Sequence, residues 1–94
     1  MDTVKYNLYL SDRALAELKE ATEYYGGISA SVNERFGIAI EQSLFSIRQN
    51  PLAYAIRYAT MRCAVVPAFP FIIHFELEEK KNLILVTSVF NIPP

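Results

Sequence analysis

One cysteine, Cys63, and one histidine, His74, are all that the chain has of either residue. A lone cysteine closes no internal disulfide, and one Cys with one His gives no metal-ligand framework. No metal and no cofactor is expected. Cys63 lies in an apolar, strand-like run, where a free thiol is ordinarily buried and inert. An excess of positive charge is also missing. Nine Lys/Arg stand against ten Asp/Glu, a net charge of −1. Residues 1–50 hold five basic and seven acidic side chains, and residues 51–94 hold four and three. Neither half is the clustered Lys/Arg platform that phosphate binding draws on, so no direct binding of free nucleic acid is expected. No run approaches membrane-spanning length. The opening Met1-Asp2-Thr3-Val4-Lys5 is not a basic stretch followed by an apolar one. The expectation is a cytoplasmic protein without a membrane partner. Repeats, linkers and low-complexity segments are absent.

What the chain does have is apolar bulk. Hydrophobic residues make up 52% of its 94 residues, with six Phe and six Tyr. That is too apolar for a disordered segment and enough for one packed domain over residues 1–94.

Residues 3–10 alternate, with Val4, Tyr6, Leu8 and Leu10 on one face, as in a half-buried strand. Ser11 or Asp12 can cap the helix that follows. In it Ala14, Leu18, Ala21 and Tyr25 form an apolar stripe, and Glu17, Lys19, Glu20 and Glu23 point outward. Gly26-Gly27 is expected to stop this helix. Ser31-Val32-Asn33-Glu34 fits a capping box for a second helix. Its stripe is Val32, Phe36, Ile40, Leu44 and Ile47, and it ends at Asn50 because Pro51 disfavours helical geometry before it. Four strands are then expected: Tyr54 to Ala59, Met61 to Val66, Phe69 to Leu77 and Leu83 to Phe90. The polar turn Glu78-Glu79-Lys80-Lys81-Asn82 makes the last two an antiparallel hairpin. The order β-α-α-β-β-β-β predicts an α+β fold, with a helical hairpin on one face of a small, curved, mainly antiparallel sheet.

Few residues offer chemistry. Arg62 stands alone in its strand, on the face of Ala64 and Val66. Its guanidinium can meet phosphate or carboxylate, and an ordinary ion pair is the plainer reading. Arg57 and Tyr58 extend a small polar patch. His74 alternates with Ile72 and Glu76. It can act as a general base near neutrality or simply be structural. Tyr24, Tyr25 and Tyr54 read as helix-to-sheet packing.

The last strand is apolar on both faces, with Leu83, Leu85 and Val89 on one side and Ile84, Val86 and Phe90 on the other. Two helices cover one face only. The other calls for a partner, a second copy in a homodimer, or curvature of the sheet, unless the strand ends tuck under the Pro-rich tail. Arg62, Leu85, Val89 and Phe90 are the candidate partner-binding residues.

Tyr24-Tyr25 near the end of the first helix, the Asn50-Pro51 stop, Arg62, Phe69-Pro70-Phe71 and the closing strand stand in an order that resembles the RelE/ParE superfamily. These are bacterial toxins of type II toxin–antitoxin pairs and plasmid stabilisation proteins. The resemblance covers nearly the whole chain. It implies the same α+β fold and an antitoxin that wraps the toxin with a helix or strand. RelE-type members are ribosome-dependent ribonucleases with several basic residues and usually a C-terminal tyrosine. Arg62 aligns with one basic position, and Arg57 and His74 are further catalytic candidates. The tail Ser88-Val89-Phe90-Asn91-Ile92-Pro93-Pro94 holds no Arg, His or Tyr. The ParE-like branch is the better match, and it implies inhibition of DNA gyrase by binding rather than catalysis. ParE-type chains commonly close with His or Arg before a final proline, where this chain has Asn91-Ile92-Pro93. The resemblance therefore leaves a ribonuclease and an inactive, toxin-fold interaction module as alternatives.

Overall fold

A computed structural model of the chain describes residues 6–93. Thr3, Val4 and Lys5 of the expected first strand lie outside them. The elements follow the expected order: β1 (Asn7–Leu10), α1 (Asp12–Ile28), α2 (Ala30–Gln49), β2 (Ile56–Tyr58), β3 (Met61–Val65), β4 (Phe71–Glu78) and β5 (Leu83–Asn91). The five strands form one open sheet in the order β1-β5-β4-β3-β2. β1 runs parallel to β5, and the other three pairings are antiparallel.

Both helix starts are set by serine hydroxyls. Ser11 caps α1 by accepting the Ala14 amide at 3.1 Å. Ser29 caps α2 by accepting the Val32 amide at 3.0 Å. The capping box expected at Ser31 is two residues too late. Ser29 also closes α1, donating its amide to the Tyr25 carbonyl at 3.0 Å, so one extended residue separates the helices. Gly26 and Gly27 do not stop α1, which runs through both to Ile28, and neither has positive φ. A Cβ on Gly26 would sit 3.4 Å from the Asn33 amide of α2, so the glycine lies where the two helices approach each other. Asn50 ends α2, and Pro51 opens a short 3-10 turn, as the proline rule requires.

The helices pack on one face of the sheet. Phe36, Ile40 and Ile47 of α2 and Ala14 and Ala21 of α1 are buried in one core with Phe71, Ile73, Phe75, Ile84, Val86 and Val89. Tyr25 joins α1 to an aromatic cluster, with ring centroids 4.9 Å from Phe36 and 5.3 Å from Phe69. Phe69 and Pro70 belong to the turn before β4 rather than to the strand. Tyr54 packs edge-on to Phe75 as expected of a sheet-packing ring. Tyr24 does not join the core and is 65% exposed.

β5 carries an irregularity that alternation does not foresee. His74 pairs with Ser88, yet Phe75 pairs with Val86, which leaves Thr87 as an extra residue. Such a bulge reverses the facing of everything beyond it. Val89 thus joins Ile84 and Val86 under the helices instead of sharing a face with Leu85. Its side chain is 1% exposed, so it faces the core rather than a partner.

Candidate functional site

The residues singled out by sequence are divided between the two faces of the sheet. Arg62 pairs across the ladder with the buried Phe75, which turns it toward the helix side. Its Nη1 donates to the Tyr54 carbonyl at 2.6 Å. The ion pairs among the described residues are Arg13–Glu17 and Lys81–Glu78, so Arg62 bonds a carbonyl rather than the expected carboxylate. It ties β3 to the segment that leaves α2.

His74 lies on the opposite, open face. Its Nδ1 is 3.2 Å from the Tyr58 hydroxyl, and its ring stacks on Phe90 at 6.1 Å between centroids. Cys63 faces it across β3 and β4. Burial pushes the Cys63 thiol up, and the Arg57 charge opposes that rise, so Arg57 acts on this same region. His74, Tyr58 and Phe90, with Met61, Thr87 and Arg13, line a depression of about 320 Å³. The structure brings Tyr58 and His74 together and sets Arg62 on the other face of the sheet. Thr87 bonds the Met61 sulfur at 3.5 Å and the His74 carbonyl at 3.4 Å, so its hydroxyl is engaged in holding the bulge.

The open face is largely apolar. Leu85 pairs with Glu76 on β4 and with Tyr9 on β1. Val65 is 69% exposed and Phe90 42%. Leu85 and Phe90 keep their place among candidate contact residues.

Glu17 is the residue that the sequence pattern misses. An outward position was expected, but one carboxylate oxygen accepts the Val89 amide at 2.8 Å and the Ser88 hydroxyl at 2.9 Å. The other oxygen meets Arg13 Nε at 3.3 Å. Burial pushes the Glu17 carboxyl up, but the Val89 amide, the Ser88 hydroxyl and Arg13 together hold it below its ordinary value. The sequence pattern carries no signal of this role, which follows from where β1 ends. β1 is short, so the far half of β5 needs another acceptor for its amides. Burial also raises the neighbouring Tyr25 phenol, with Tyr24 adding to the rise.

Among the described residues, no three His, Cys, Asp or Glu side chains gather at one point, and no helix is long and apolar enough to cross a membrane.

No protein-family model and no curated protein matches the sequence. Solved structures do. A chain of the chromosomal ParDE TA system from P. aeruginosa superposes with a TM-score of 0.80 at 15% identity, over 97% of this chain and 100% of its own. A chain of the intact E. coli RelBE toxin–antitoxin complex gives 0.67 at 17% identity, over 95% of this chain and 99% of its own. The isolated E. coli RelE toxin gives 0.61 at 19% identity, over 95% of this chain and 86% of its own. At such identities the likeness is one of fold. It bears out the α+β architecture that the sequence resemblance implies.

Proposed function

We propose that this chain is the toxin of a type II toxin–antitoxin pair, of the ParE-like kind, that it inhibits DNA gyrase by binding it, and that a cognate antitoxin neutralises it. The observation that carries this reading is the end-to-end overlap with the ParDE chain, at a TM-score of 0.80 against 0.67 and 0.61 for the two RelE-system structures. The arrangement of the side chains supports binding over catalysis. In-line RNA cleavage needs a proton-transfer group and positive charge converging on one phosphate. Here Arg62 is turned away from His74 and already donates to Tyr54. The experiment is supercoiling of relaxed plasmid by purified gyrase with added chain. Loss of supercoiling with accumulation of cleaved DNA is expected. Undisturbed supercoiling at a large excess of folded chain would refute the gyrase assignment.

A second reading is a ribosome-dependent ribonuclease. The Tyr58–His74 pair favours it, because an imidazole beside a phenol, with Arg13 lining the same depression, is an acid–base set. Its test is transcript integrity in a translating extract, where uncut messengers would exclude it.

A further inference from the structure

α2 carries large apolar side chains on the side that faces away from the core. Its buried residues Phe36, Ile40, Ser43 and Ile47 form one stripe toward the sheet. By helical periodicity Ile38 and Phe45 fall on the opposite side, two turns apart. They are 46% and 56% exposed. Leu52, in the 3-10 turn just past the helix end, is 52% exposed. Beside Ile38 a groove of about 400 Å³ runs along α2, bordered by Pro67, Ala68 and Phe69. The outer side of a surface helix is ordinarily polar, and apolar side chains clustered in solvent mark an interaction site.

The polar residues around this stripe are complementary to themselves. Glu41 and Arg48 lie on one flank of the line from Ile38 to Phe45, and Gln42 and Gln49 lie on the other. Neither Glu41 nor Arg48 has an ion-pair partner among the described residues. Arg48 Nε donates to the Tyr6 carbonyl at 3.3 Å, which anchors the guanidinium beside the helix. A second α2, laid antiparallel about a two-fold axis at Phe45, gives each residue its complement. Phe45 meets its own copy, Ile38 meets Leu52, Glu41 meets Arg48 and Gln42 meets Gln49. All four pairings call for the same register, and two-fold symmetry makes each unlike pairing twice. A parallel pair sets the charged flank of one helix against the glutamine flank of the other, so no carboxylate meets a guanidinium.

We propose that two copies of this chain associate through α2, antiparallel about a two-fold axis at Phe45. The partner's Leu52 seats beside Ile38 at the mouth of the groove, and the partner's Arg48 meets Glu41. This places the second copy on the helix layer, not on the sheet face where strand alternation calls for cover. Both open faces stay uncovered in the pair. Twenty residues make α2 about 30 Å long. A single helix pair of that length is a small interface, so a dissociation constant on the order of 10 µM is expected. The pairing does not depend on the toxin reading.

The test is sedimentation equilibrium of the purified chain from about 1 µM to about 1 mM, a range that brackets the expected constant. A monomer–dimer equilibrium is expected. Phe45→Glu sets two carboxylates against each other at the axis and should leave only monomer over that range. Glu41→Arg and Arg48→Glu should each weaken self-association by about tenfold, because like charges then face each other. Mixed in equal amounts, these two variants should pair with each other as tightly as the parent pairs with itself, since each guanidinium again meets a carboxylate. Glu41 and Phe45 are exposed, so their substitution keeps the fold, and circular dichroism verifies each variant. Val65→Glu, on the open face, should leave dimerisation unchanged. Folded parent that stays monomeric throughout, a dimer that survives Phe45→Glu, a dimer lost in Val65→Glu, or folded mixed variants that fail to associate would each overturn the proposal.

Discussion

The Glu17 carboxylate sits 2.8 Å from the Val89 amide, seventy-two residues along the chain, and completes the sheet edge where β1 ends. A side chain of α1 thus stands in for a missing strand. Removing it leaves the Val89 amide and the Ser88 hydroxyl without an acceptor. Glu17→Ala should cost about 1–2 kcal/mol, the range for hydrogen bonds to a charged group reduced for partial exposure. Urea unfolding of the two proteins measures it. A change under about 0.3 kcal/mol would mean that water replaces the carboxylate freely.

The same carboxylate gives stability an acid dependence. Its folded pKa lies below the ordinary value of 4.5, because its three donors outweigh the burial that pushes it up. As pH falls, the unfolded chain takes up this proton first. The contribution is therefore complete above about pH 4.5 and is lost as pH drops through the folded value. Glu17→Gln should flatten the stability profile in that window and leave its shape unchanged between pH 6 and 8. Unfolding midpoints measured from pH 3 to 7 for both proteins check this.

The helix junction makes a prediction that separates two serines two residues apart. Ser29 accepts the Val32 amide, and Ser31 caps nothing. Ser29→Ala should cost about 1 kcal/mol, the usual loss for an N-cap, and Ser31→Ala should fall within about 0.5 kcal/mol of the parent. Thermal unfolding of each variant would show whether the order is reversed.

Arg62 serves as a discriminator of mechanism. As a clasp on the Tyr54 carbonyl it should contribute about 1.5–3 kcal/mol, lost in Arg62→Ala. On the binding account, growth arrest by this variant falls only as far as its folded fraction falls. On the nuclease account, arrest disappears in a variant that is still folded. Circular dichroism of the variant beside its growth curve distinguishes the two.

His74→Ala and Tyr58→Phe remove the Tyr58–His74 pair on the open face. On the binding account neither should abolish growth arrest, since neither touches the buried core. Complete loss of arrest in both, with normal folding, would favour RNA cleavage.

Most of the architecture was legible because it rests on local rules. Phe36, Ile40, Leu44 and Ile47 of the expected apolar stripe are on the packed side of α2, and Pro51 ends that helix as its ring requires. The turn after β4 lies where the charged run places it, with Asn82 in the left-handed conformation that Asn tolerates. Gly26-Gly27 misled because tertiary packing overrode a modest helix penalty of about 1 kcal/mol per glycine. Tyr25, one residue earlier, is locked between Phe36 and Phe69 and carries the helix onward. The bulge at Thr87 left no mark in the alternation, so Val89 was assigned to the wrong face. Of the candidate site residues, His74 lies on the open face with Tyr58 and Phe90, whereas Arg62 points to the other face. Glu17 was invisible because its role comes from where β1 stops, which is a property of the assembled sheet.

The central claim is that this fold poisons its target by binding. The measurement that tests it most directly is induction of the chain alone in bacteria, with growth, DNA supercoiling and bulk messenger integrity followed together. Growth arrest with gyrase-dependent DNA damage and intact messengers is the predicted result. Arrest with cut messengers, or no arrest from a folded and abundant chain, would contradict it.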